Sequence, residues 1–192
     1  ADMGADVIRV DRAQSVVGGD PASPPADVLN RGRRSVGLDL KQPDDLAVLR
    51  DLLHEAHVLV ENFRPGTLER LGLGPDVLMA ANPRLIYASA SGFGRTGPYS
   101  EKLALDLTIQ AMSGLMSTTG ELGGRPLKAG VPVADFMSGA HLYGAIVTAL
   151  YERERTGRGR ALEVSMLESL FATLLPAAGH AYAASHPPRR TG

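Results

Sequence analysis

Residues 5–91 alternate between short β-branched runs and helical patterns, with Pro or Gly at most of the junctions. Ala5-Asp6-Val7-Ile8-Arg9-Val10-Asp11 reads as a strand, as do Val36 to Leu40, Val58-Leu59-Val60 and Leu85-Ile86-Tyr87-Ala88. Pro43 stands at a first helical position with Asp44 and Asp45 behind it, where the helix dipole favours anions. Leu46, Leu49, Leu52 and Leu53 then keep helical spacing to about Ala56. Shorter helices are predicted around Leu68 to Leu71, stopped by Gly72, and from Pro75 to about Ala81. Residues 14–34 are rich in Gly, Pro, Ser and Ala, end in Arg31-Gly32-Arg33-Arg34, and read as a surface loop. Strands and helices in this order predict an α/β layer structure with a largely parallel sheet.

Beyond Gly97-Pro98 the character changes. Asp106 to Ser117 and Asp135 to about Arg155 both look helical. The second is apolar nearly all round (Phe136, Met137, Leu142, Tyr143, Ile146, Val147, Leu150, Tyr151), a pattern that predicts burial on most faces. Leu162-Glu163-Val164 resembles a strand and Leu167 to Ala184 a last helix. The chain opens at Ala1 without a Met and stops at Pro187-Pro188-Arg189-Arg190-Thr191-Gly192, so it reads as a piece of a longer protein.

Composition narrows the function. The 192 residues are 44% hydrophobic and 21% charged with a formal net charge of −1, which argues against disorder and gives no footprint for nucleic acid or an anionic membrane. The absence of Cys removes disulfides, thiolate metal sites and Cys nucleophiles together. No uninterrupted apolar run approaches the ~18 residues of a membrane span, and no secretory signal opens the chain. A soluble, cytoplasmic enzyme or binding domain is expected.

Gly92-Phe93-Gly94-Arg95-Thr96-Gly97 matches GxGxxG after a strand, but no helix opens directly behind it, as a dinucleotide site requires. The five histidines assemble no metal site, and His141, on the long apolar helix, reads as a packed or hydrogen-bonded core histidine. Asp135 opens that helix. It is either a plain N-cap or a carboxylate kept ionised by the dipole at a pocket edge, where it could act as a nucleophile. Asp106 opens the preceding helix in the same way, so the two carboxylates could form a pair in which one tunes the other. Arg12, Lys41, Asn62, Arg64 and Arg70 fall just past predicted strands, at the edge where open α/β sheets bind ligands. They are ordinary surface charge singly, and together suit a phosphorylated ligand.

Five stretches in order carry a resemblance. They are Gly4 to Asp11 (GADVIRVD), Arg34 to Lys41 (RSVGLDLK), and Val60 to Gly66 (VENFRPG) with Leu71-Gly72-Leu73. Ser91 to Gly94 (SGFG) with Thr96-Gly97-Pro98, and Thr156-Gly157-Arg158-Gly159, complete the set. Across residues 1–170 the chain resembles the class III CoA-transferases (CaiB/BaiF, formyl-CoA transferase-like), the superfamily of α-methylacyl-CoA racemases.

The resemblance implies a Rossmann-like large domain over residues 1–184. Its first strand and helix and its C-terminal second domain would be missing, and residues 185–192 would begin the linker to that second domain. It implies CoA or acyl-CoA as substrate, contacted by Arg12, Leu38, Lys41, Asn62, Phe63, Arg64, Arg70, Lys102 and Leu105. Asp135 matches the catalytic aspartate and Asp106 the acidic residue that accompanies it.

The activity implied is transfer of CoA from an acyl-CoA to a carboxylic acid, through a mixed anhydride and an aspartyl-CoA thioester on Asp135. No tightly bound cofactor or metal is needed. An interlocked homodimer is expected, with no nucleic-acid or membrane partner. Racemases of the superfamily look to need a histidine where this chain has Leu105, and an aliphatic side chain cannot take a proton. Racemase activity is therefore the weaker alternative, and a CoA-binding module without activity a third. Expressed alone, the chain is expected to be poorly soluble, because its apolar helices would expose faces to water.

Overall fold

The computed structural model describes residues 1–13, 27–185 and 190, in two compact units, Ala1–Glu55 and Ala56–Gly192. In the first, β1 (Val7–Arg12) pairs in parallel with β2 (Arg33–Leu38), in a register that sets Val7 against Arg33 and Arg12 against Leu38. A single helical turn, α1 (Asp27–Asn30), precedes β2, and α2 (Pro43–Glu55) follows it, burying Leu49 and Leu53. Part of the expected loop over 14–34 is thus corrected: residues 14–26 lie outside the described residues, residues 27–30 are helical, and Arg33 and Arg34 belong to β2. A strand is fixed by its backbone pairing, and an edge strand can carry exposed arginines.

The second unit is built on a three-stranded parallel sheet in the order β3 (Val58–Glu61), β4 (Ile86–Ser91), β5 (Ala161–Ser165). The connection from β3 to β4 carries α3 (Thr67–Arg70) and α4 (Pro75–Ala81), the latter with its proline in the first turn. The connection from β4 to β5 carries α5 (Asp106–Ser113), α6 (Leu115–Thr118) and α7 (Val133–Thr156). The helix expected over 106–117 is broken at Gly114, whose φ of 95° lies in the left-handed region. After β5 come α8 (Met166–Phe171), a 3₁₀ turn over Ala172–Leu174, and α9 (Leu175–Ala184), so the single helix expected from Leu167 is also divided. Ser165 caps α8, accepting from the Glu168 N–H at 3.3 Å.

The direction of α7 places the site. Arg153, in its last turn, donates to the carbonyls of His57 and Arg84, which stand just before β3 and β4. The helix therefore runs antiparallel to the strands. Asp135 lies eighteen residues, about 27 Å, back along it, at the level of the strands' carboxyl ends.

Burial of α7 on most faces is not what the structure has. Ala134, Ser138, Leu142, Ala149 and Arg153 are buried, while Phe136, Tyr143, Val147 and Tyr151 are exposed. By length and composition α7 could also cross a membrane, correcting the expectation that nothing here approaches a span. Its alanines and large apolar residues give it that hydropathy, although Asp135 and His141 interrupt the run. Here the helix packs against β4, β5 and α8. The core beneath the site is Ile109, Ala134 and Leu170, with Phe93, Ala104, Val133, Met137 and Leu167 packed around them.

Candidate active site

Asp106 is the first residue of α5 and Asp135 the third of α7, and packing of Ile109 against Ala134 brings the two helix starts together. A helix start leaves N–H groups without intrahelical partners. Pro132, at the cap position of α7, has no side-chain acceptor. Asp106 supplies one from the other helix: its Oδ1 accepts from the N–H of Ala134 at 2.7 Å and of Asp135 at 3.2 Å. Asp135 is therefore not the N-cap that its position in the sequence allowed. Its carboxylate faces outward with no side-chain hydrogen bond among the described residues.

Its ionisation also departs from expectation. A carboxylate at a helix start should be held ionised by the dipole, yet the Asp135 pKa is raised above the ordinary carboxylate value. Partial desolvation is the larger cause and the negative charge of Asp106 the second. The N–H groups that would have favoured the charge point at Asp106 instead.

Around this pair, Leu105 is the N-cap residue of α5 and 74% exposed. The Lys102 ammonium sits 4.0 Å from the centre of the Tyr99 ring, which meets Phe93 edge-on. Asn62, Phe63 and Arg64 form the turn leaving β3, all exposed, and Arg70 folds back to donate to Thr67 Oγ1 at 3.1 Å. In the first unit, Arg12 and Leu38 end adjacent strands in register, and Lys41 lies in the turn after β2. That turn is fixed by Asp39, whose carboxylate accepts from the Lys41 N–H at 3.1 Å. The structure thus gathers the candidate cations at strand carboxyl ends in each unit. His141 bonds the Met137 carbonyl at 2.8 Å but is exposed, which corrects the expectation of a core histidine: its face of the helix is not covered by the described residues.

The glycine loop from Gly92 to Gly97 is not a dinucleotide turn, since the next helix begins only at Asp106. It serves close packing. A Cβ on Gly92 would lie 2.0 Å from Ala104 Cβ, in the segment leading to Leu105 and Asp106. Arg95 locks the loop down: its N–H donates to Glu163 on β5, and its guanidinium pairs with Glu69 and lies 3.9 Å from Glu61. Buried Glu61 accepts from Ser89 Oγ and, at 2.9 Å, from the Phe63 N–H, which shapes the turn after β3. Tyr87 lies beneath, its pKa pushed up to about 12 by burial and then by the charge of Glu61.

Sequence reading passed over Glu61, Arg95, Glu163 and Gln110. Register offers a signal for two of them. Glu61, Ser89 and Glu163 are cross-strand partners on one face, so a polar row interrupts strands that are otherwise apolar.

The second unit thus holds paired helix-start carboxylates, and each unit carries cations at its strand ends, within an α/β fold of parallel sheets. The CoA-transferase family III model matches residues 1–192, and the chain belongs to that family. It is 40% identical to a succinate–glutarate CoA-transferase of Agrobacterium fabrum, over all of this chain and 52% of that protein. It is 43% identical to the α-methylacyl-CoA racemase of Homo sapiens, over 88% of this chain and 42% of that one. A CaiB/BaiF family protein from Brucella suis shares its structure with a TM-score of 0.91 and 36% identity, covering all of this chain and 53% of the other. The chain spans about half the length of the curated relatives it matches.

Proposed function

We propose that the protein transfers CoA from an acyl-CoA donor to a carboxylic acid acceptor, with Asp135 as nucleophile. The observation that carries this is the division of labour at the helix start: Asp106 takes the capping N–H groups, which leaves the Asp135 carboxylate unengaged beside the strand ends. A carboxylate whose pKa is raised is also a better nucleophile once ionised.

The reaction balances without proton transfer. Asp135 attacks the donor thioester carbonyl, the C–S bond breaks, and a mixed anhydride and CoA thiolate form. The thiolate attacks the Asp135 carbonyl of the anhydride, the C–O bond breaks, and the donor acid leaves as its carboxylate, giving an aspartyl-CoA thioester. The acceptor carboxylate attacks that thioester and expels the thiolate. The thiolate then attacks the acceptor's carbonyl, releasing the new acyl-CoA and free Asp135. One thioester replaces another, and remote contacts to CoA keep the thiolate at high effective concentration. Those contacts are assigned to Arg12, Leu38 and Lys41 in one unit and to Asn62, Phe63, Arg64, Arg70, Lys102 and Leu105 in the other. The fold is read as the Rossmann-like large domain of the family, and the protein as a cytoplasmic homodimer with CoA as substrate and no resident cofactor.

The relative that is a racemase supports a second reading, proton exchange at the α-carbon of a 2-methylacyl-CoA. Leu105 weighs against it, because the residue before Asp106 offers no base. The test incubates the intact protein with a panel of acyl-CoAs and hydroxylamine and examines the Asp135 peptide by mass spectrometry. A hydroxamate or CoA adduct on Asp135, absent in Asp135→Asn, is expected. Uptake of solvent deuterium at the α-carbon with no adduct would replace transfer by racemisation.

A further inference from the structure

We infer that Gln110 is a positioning residue for the Asp106–Asp135 pair, a role that rests on Asp135 being the nucleophile. Gln110 is 1% exposed, and its amide is fully used. Nε2 donates to Asp106 Oδ2 and lies 3.4 Å from the Val131 carbonyl, while Oε1 accepts from the Ala129 N–H at 2.7 Å. Gln110 and Asp106 are four residues apart on one face of α5. Both oxygens of Asp106 are thereby fixed, Oδ2 by Gln110 and Oδ1 by the first turn of α7. The same amide ties down residues 129–131, the segment that enters α7. One side chain therefore sets where α7 begins and how the Asp106 charge faces Asp135.

The chemistry of the position is narrow. The side chain must donate to a carboxylate and a carbonyl and accept from an N–H, which a neutral primary amide does in one plane. A glutamate would set a second negative charge against Asp106. A methionine would leave buried polar groups without partners. The charged groups around this corner, among the described residues, are Asp106 on α5, Asp135 on α7, Lys128 beside Ala129, and Glu168 on α8 bordering Met112 and Ser113.

Two variants of the intact protein, Gln110→Glu and Gln110→Met, test the role, with thermal melting to confirm folding. The first readout is the pH dependence of carbodiimide labelling of Asp135 in the ligand-free protein, followed by peptide mass spectrometry. Carbodiimides react with the protonated carboxyl. Gln110→Glu is expected to move the labelling midpoint upward by roughly half a pH unit or more. The second readout is steady-state kinetics with any donor that labels Asp135. Gln110→Met is expected to lower kcat about 10- to 100-fold with KM for the acyl-CoA changed less than about threefold.

Folded variants with an unmoved midpoint and kcat within about twofold of the parent would overturn the proposal. Failure of both variants to fold would do the same, assigning Gln110 to stability alone. If the parent protein transfers CoA from no donor, the functional reading fails separately, and the labelling midpoint still decides whether Gln110 governs Asp135.

Discussion

The two aspartates do not take the roles that sequence position suggests. Each opens a helix, which is legible in the sequence, but spacing alone cannot tell which helix's N–H groups a carboxylate will serve. Asp106 leaves its own helix start to cap α7, and Asp135 is left carrying a charge that its surroundings disfavour. Because the folded-state pKa of Asp135 lies above that of the unfolded chain, the unfolded state loses its proton first as pH rises. Stability therefore falls through that interval and stays lower above it. Asp135→Asn removes the charge, so its thermal midpoint is expected to exceed that of the parent at pH 7. The gap should close below the ordinary carboxylate pKa of about 4. Solvent screens the exposed side chain, so a difference of only about 1–2 °C is expected. Melting curves of the two proteins from pH 3 to 8 measure this, and a parent more stable than the variant at neutral pH would show that the helix dipole dominates. Gln110 was illegible for a related reason: a buried, fully bonded amide is indistinguishable in sequence from a solvated one.

At the level of elements, the β–α order and the parallel sheet are legible because strand and helix periodicities differ and Pro43 and Pro75 mark helix starts. The breaks at Gly114 and over Ala172–Leu174 are less so, since apolar spacing continues across them and only packing of α5 and α8 decides where each turn yields. Two glycines at opposite ends of the strands separate stability from site geometry. A Cβ at Gly159 would lie 2.0 Å from the Leu85 carbonyl oxygen, at the strand starts, and one at Gly92 would strike Ala104, two residues from Asp106. Neither obstacle can swing away, so each alanine variant is expected to lose about 2–3 kcal/mol of stability in denaturant melts. They should differ at the site. Gly92→Ala displaces the segment that starts α5 and is expected to lower the rate of Asp135 adduct formation per folded molecule at least about tenfold, whereas Gly159→Ala leaves it within about twofold. Equal effects of both variants on the adduct rate would mean that the glycine loop does not set the position of Asp106.

For the molecule as a whole, the informative surface is the outer side of α7. Phe136, Tyr143, Val147 and Tyr151 follow one another at intervals of seven, four and four residues, so they form a single stripe, and Phe136 and Tyr151 are 62% and 67% exposed. Periodicity showed that α7 is apolar. It could not show that nothing among the described residues covers this stripe, because that depends on which elements reach the helix. Each large side chain left in water forgoes about 1.5–3 kcal/mol of burial, so four in a row make contact between chains favourable. Held alone in solution, the chain is expected to sediment as concentration-dependent oligomers and to unfold irreversibly on heating. Replacing Tyr143 and Tyr151 by lysine puts two like charges on the stripe, one inside it and one at its end. It should shift sedimentation toward the monomer while leaving the circular dichroism of the folded chain unchanged, since neither ring is part of the buried core. A parent chain that is monomeric at high concentration with a sharp, reversible transition would show that water alone satisfies this face, and the account of α7 as a helix built for burial would have to be abandoned.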